Sequence, residues 1–166
     1  MAKGATIMTE KQVTATTPVA PLTPTEIKKI LVPVDGTVPS RHAISMAIYL
    51  AQSCHAEITL LTVIDLNKHI SAFEQVSTGG YIPAEVKEKA YRLQAELMHE
   101  IPNSVQAKML IEIGAPAEKV VEICATQHFD LIILGTRGRT ELKSFMLGSV
   151  SEYTLHHTSL PVLVVK

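Results

Sequence analysis

Residues 131–151 read LIILGTRGRTELKSFMLGSVS, an aliphatic run broken by Gly135 and Gly138, a polar loop, and a restart at Gly148-Ser149. The stretch reads as a strand, a glycine-bearing loop and the first turn of a helix. Glycines three apart let the backbone turn tightly and approach a ligand without a Cβ in the way. Gly148, Ser149, Val150 and Ser151 then place amide N–H groups and hydroxyls at a helix N-terminus, where unpaired donors and the helix dipole favour an anion. Phosphate is the natural candidate. The spacing G-x2-G-x9-G-S is neither the P-loop, which needs Gly-Lys-Ser or Gly-Lys-Thr, nor the G-x-G-x-x-G dinucleotide fingerprint. Taken bare, Gly135 also reads as a strand terminator and Gly148 as a helix-start residue.

The same alternation extends over the rest of the chain. Ile30-Leu31-Val32-Pro33-Val34 suits a strand buried on both faces and ends at Asp35-Gly36-Thr37. Pro39-Ser40 leads into a helix with apolar positions at Ala43, Met46, Ala47, Leu50, Ala51 and Cys54. A second strand spans Glu57 to Ile64, and Leu66 to Ile82, with Gly79-Gly80, reads as a long loop. Pro83 opens a helix with a stripe at Val86, Ala90, Leu93, Leu97 and Ile101, Glu85 and Lys89 pairing on its wet face. Val105 to Ile113 alternates partly, as a strand near a sheet edge would. A helix from Ala115-Pro116-Ala117 points Val120, Val121, Ile123, Cys124 and Ala125 inward. Asp130 to Leu134 is the fourth strand, Ser149 to His157 the fourth helix, and Pro161 to Val165 the last strand. Five strands alternating with four helices define an α/β fold, an open five-stranded parallel sheet with helices on both faces, Rossmann-like. Ligands bind such sheets at the carboxyl ends of the strands, where strand order reverses.

The chain has 166 residues, 46% hydrophobic and 19% charged, enough for one domain with a sizeable core. A net charge of −1 provides no basic field for nucleic acid or an anionic membrane. No apolar run reaches membrane-spanning length. Residues 1–26, with Pro18, Pro21 and Pro24, read as a disordered arm, and 27–166 as the folded domain. Lys3 is followed by polar residues rather than an apolar segment, so no secretory signal is expected and the cytoplasm is the default compartment. Cys54 and Cys124 read as small buried residues, not a redox pair.

The segments Lys29 to Thr37, with Ser40, Ala43 and Ala47, and GTRGRTELKSFMLGSVSEYTLHHTSLPVLVV resemble the universal stress protein family, specifically its ATP-binding branch, over about Lys28 to Lys166. The resemblance implies strand order 3-2-1-4-5, which makes Asp35 and Gly135 neighbours, and ATP as ligand with Mg2+ accompanying it. By the same resemblance Asp35 meets the ribose hydroxyls, Pro33 and Val34 form the adjacent wall, and Val63 reads the adenine edge. Gly135, Thr136, Arg137 and Gly138 would wrap the phosphates, and Gly148, Ser149, Val150 and Ser151 would donate to them. Arg137, Arg139 and Lys143 are candidates for the terminal phosphate. Asp35 has an alternative as a helix cap, Val63 as a core residue, and the three cations as solvated surface.

The implied function is a nucleotide-dependent regulatory module in stress response, with no catalytic residues assigned and at most slow ATP hydrolysis, since no general base or arginine finger is evident. The resemblance also implies a homodimer through strand 161–165, whose free edge would invite a second strand. Two alternatives stand beside it: a dimerisation domain that binds no nucleotide, and a nucleotide hydrolase, against which Asp35-Gly36-Thr37-Val38-Pro39-Ser40 lacks the S-G-G-x-D-S loop. A receiver domain would need paired acidic residues where Asp35 follows Val34. Adjacent His156 and His157 make a poor chelating pair, no metal site is expected, and no G-x-S-x-G elbow supports a catalytic triad. Glu118 and Glu122 read as a solvated helix face.

Overall fold

A computed structural model describes residues 26–68, 82–136 and 147–166. The elements run β1 (Lys29–Pro33), α1 (Val38–Cys54), β2 (Glu57–Ile64), a single 3-10 turn (Leu66–Lys68), α2 (Ala84–His99), β3 (Ala107–Ile113), α3 (Pro116–Thr126), β4 (Leu131–Gly135), α4 (Ser149–His157) and β5 (Val162–Val165). All four strand pairings are parallel, in the order β3-β2-β1-β4-β5. The order reverses between β1 and β4, so the sheet is doubly wound, as expected.

Alternation along the strands builds two cores. Ile30, Val32 and Val34, with Ile58, Leu60, Leu131 and Ile133, face Ala43, Ile44, Ala47 and Ala51 of α1 and Leu97 of α2. Leu31, Leu61, Ile132 and Leu134 face the opposite way, against Val120 and Ile123 of α3 and Val150 of α4. Small alanines on α1 let that helix approach the sheet closely. Edge strand β3 has a mixed exposure pattern, with Met109 and Ile113 exposed, in keeping with its broken alternation.

Three helix faces depart from the periodic reading. On α1 the buried side runs through Ile44 while Met46 is exposed, because the face is set by the alanines that touch the sheet. On α2 the expected stripe holds at Ala90 and Leu97, but Gln94 is also fully buried, and the ion pair on its wet face is Glu88 with Arg92, not Glu85 with Lys89. On α3 Ala125 is exposed, and both cysteines are half-buried rather than buried. Burial still pushes the Cys124 thiol up to about 11.

Helix starts follow their prolines. Pro39 and Pro116 fall in the first turn, where a missing N–H costs nothing. Pro83 stands one place earlier than expected, as the cap residue before Ala84. The first helix ends at His55, whose left-handed backbone (φ 57°) donates its N–H to the Ala51 carbonyl.

Candidate functional site

A cleft of about 400 Å³ opens at the carboxyl ends of β1, β2 and β4, at the reversal point of the sheet. Its size falls within the range of small-molecule sites. Nine of the expected residues line it: Pro33, Val34, Asp35, Val63, Gly135, Gly148, Ser149, Val150 and Ser151. Thr136 lies next to it without lining it. Arg137, Gly138, Arg139 and Lys143 lie outside the described residues.

The loop after β1 is built by Asp35. Its Oδ1 accepts the Thr37 backbone N–H at 3.1 Å and the Thr37 hydroxyl at 2.6 Å, closing a turn around Gly36, whose φ of +82° suits glycine. The helix cap is therefore Thr37 and not Asp35, and the carboxylate stays at the cleft. Ser40 closes the turn from the other side, its hydroxyl donating to the Thr37 carbonyl at 2.9 Å.

Across the cleft, the glycine loop leaves and returns at one point. The Thr136 N–H donates to the Val165 carbonyl, the Gly148 N–H to the Thr136 carbonyl, and the Ser151 hydroxyl to the Gly135 carbonyl, each at 2.7 Å. Two groups expected to face a ligand are thus engaged in the scaffold: the Gly148 amide and the Ser151 hydroxyl tie α4 to β4. What α4 presents instead is its first turn. The N–H groups of Ser149, Val150 and Ser151 have no intrahelical acceptor, no side chain caps the helix, and the positive end of its dipole opens on the cleft.

Gly135 has a packing reason to be glycine. A Cβ there would lie 2.6 Å from the Pro39 carbonyl carbon and 2.7 Å from its oxygen, so the start of α1 rests directly on the end of β4. Gly148 has ordinary extended angles (φ −66°, ψ 153°) that any residue adopts.

The rest of the cleft is largely apolar. Leu61 and Ile64 of β2, Val86, Ala90 and Leu93 of α2, and Pro116 and Val120 of α3 also line it; the sequence assigns them no site role and reads those of α2 and Val120 as buried helix stripes. Asp35, Asp65 and Lys89 are its titratable side chains among the described residues. The residues of α2 carried a usable signal in their apolar stripe. Val120 of α3 carried the same signal as part of its helix stripe, and the Thr62 side chain carried none. The arrangement offers a donor-rich, electropositive helix end at one side, a carboxylate beside the β1 loop, and an apolar slot between β2 and α2. This combination fits a phosphorylated ligand with a flat apolar end.

Fold and cleft together define a doubly wound α/β protein with a ligand crevice at its switch point. Residues 26–166 match the model of the universal stress protein family, and the chain belongs to that family. It is 32% identical over 144 residues to universal stress protein MJ0531 of Methanocaldococcus jannaschii, spanning 84% of this chain and 82% of that one. Among solved structures, hypothetical protein MJ0577 of the same organism superposes with a TM-score of 0.72 at 30% identity, covering 86% of this chain and 97% of that one. A universal stress protein in complex with cAMP superposes with a TM-score of 0.64, covering 85% of this chain and 98% of that one; at 20% identity the likeness is one of fold.

Proposed function

We propose that the chain is an ATP-binding universal stress protein, a regulatory module in stress response whose conformation or partners change with nucleotide occupancy. The observation that carries this is the convergence on one cleft of the α4 N-terminus, Asp35 and the slot between β2 and α2. In this reading the triphosphate lies against the Ser149, Val150 and Ser151 amides with help from the loop that holds Arg137 and Gly138. Asp35 accepts from the ribose, Pro33 and Val34 flank it, and the base rests beside Val63. A relative of this fold is known in complex with cAMP, which shares the adenine, ribose and phosphate chemistry. Mg2+ arrives with the phosphates rather than in a protein cage. Hydrolysis, if it occurs, is slow, since the sequence carries no evident general base or arginine finger.

The module works as a cytoplasmic homodimer joined through strand 161–165, since β5 is a short aliphatic edge strand paired on one side with β4. Analytical ultracentrifugation at micromolar concentration should give about twice the 18.1 kDa chain mass; an 18 kDa species alone would remove the dimer. One observation favours a second reading, a dimerisation domain without nucleotide: Gly135 is required by its contact with Pro39 whether or not anything binds.

The deciding experiment is a calorimetric titration of Mg-ATP into nucleotide-stripped protein, with Gly148→Val as control. Binding at or below about 100 μM, roughly 5.5 kcal/mol, that is lost in the variant supports the nucleotide module. An absence of heat and of thermal shift with the native chain hands the lead to the second reading.

A further inference from the structure

Gln94 sits in the third turn of α2 with none of its surface exposed, an unusual place for an amide. Its Nε2 lies 3.1 Å from the Leu60 carbonyl oxygen, 3.1 Å from the Leu110 carbonyl oxygen and 2.8 Å from Thr62 Oγ1. Carbonyl oxygens only accept hydrogen bonds, so the amide nitrogen, and not its oxygen, must face them. This fixes Thr62 in turn. The amide has two hydrogens for these three oxygens and its nitrogen accepts none, so whatever share Oγ1 receives, the hydroxyl's own hydrogen cannot go to Nε2. Among the described residues none accepts it. Thr62 lines the cleft on β2 between Leu61 and Val63, with Ala90 and Leu93 of α2 in the adjoining wall.

We propose that Thr62 is a specificity-determining hydrogen-bond donor of the cleft and that Gln94 is its positioning residue. Together they present one oriented O–H, in a slot whose walls are mostly apolar, to an acceptor atom on a planar heteroaromatic ring, such as a ring nitrogen of a purine. The proposal deepens the nucleotide reading and rests on it. A phosphate would be poorly placed among Leu61, Val63, Ala90 and Leu93, and the donors suited to it lie at the α4 end. A flat ring fills the slot, and a buried donor then selects the ring that offers it an acceptor, because a ring without one leaves the hydroxyl unpaired.

The test titrates the full chain with Mg-ATP and with the Mg complexes of 1-deaza-, 3-deaza- and 7-deaza-ATP, in native protein and in Thr62→Val, Thr62→Ser and Gln94→Met. Thr62→Val keeps the shape and removes the hydroxyl; it should weaken ATP about fivefold to tenfold, the worth of one neutral hydrogen bond. Thr62→Ser should stay within about twofold of native. One deaza analogue should bind native protein as weakly as ATP binds Thr62→Val, and lose nothing further in that variant. Gln94→Met should erode the preference for ATP over that analogue, a ratio that a loss of stability alone does not move. Equal ATP affinity of native and Thr62→Val, or parallel losses for every analogue, overturns the proposal while the nucleotide reading stands. Native protein that binds no ATP overturns both.

Discussion

A Cβ on Gly135 would meet the Pro39 backbone at 2.6 Å, and backbone cannot swing aside as the end of a side chain can. Gly135→Ala is therefore expected to destabilise the fold by about 1–3 kcal/mol, the usual cost of overpacking, read as a lower urea midpoint. Gly148→Val should behave oppositely, losing Mg-ATP binding while its melting temperature stays within about 4 °C of native, since its backbone angles suit valine. The two glycines look alike in the sequence, and only the tertiary contact separates them. Cys124 supplies a third residue-scale prediction. Its thiol is pushed by burial from 9.0 to about 11. Between those values an unfolded chain loses the proton and the native chain keeps it, so the group's contribution to stability is present below about pH 9 and declines as pH rises through 11. At pH 8, alkylation at Cys124, followed by peptide mapping, should be at least about tenfold slower in native protein than in urea.

At the level of elements, α2 is the helix on which the cleft most depends, because it supplies one wall and holds the β2–β3 seam through Gln94. Leu97, fully buried on the same helix, anchors it to the first core. Leu97→Ala should cost about 2–5 kcal/mol, measured by urea unfolding, and should weaken ligand binding only through the loss of folded protein. The limits of β2 and α4 were legible from the sequence, since an aliphatic run and a Gly-Ser start mark their ends by local chemistry. The buried sides of α1 and α2 were legible only in part. Apolar spacing finds a stripe, but Met46 and Ile44 lie on opposite flanks of the alanine stripe of α1, and which flank is covered depends on how the helix rolls on the sheet. Gln94 was invisible for the same reason. An isolated glutamine inside a helix reads as surface, and its acceptors lie on two strands, one of them 34 residues away.

Over the whole molecule, ligand binding and stability are linked. Mg-ATP at ten times its dissociation constant should add about 1.4 kcal/mol and raise the melting temperature by roughly 3–6 °C, checked by a thermal scan; a flat response with concentration would count against the nucleotide reading. The α/β alternation, the parallel sheet and the candidate loop residues were set by the sequence itself. Aliphatic runs of strand length, helical stripes and glycines at the turns are local signals that need no knowledge of what they pack against. Tertiary structure alone decided how those signals are used. It engaged the Gly148 amide and the Ser151 hydroxyl in the scaffold, made Gly135 a seat for α1, left the first turn of α4 facing the cleft, and brought Gln94 against Thr62 beside it. A hydrogen bond or a close approach is settled by where two distant segments meet, and that position follows from the packing of the whole chain.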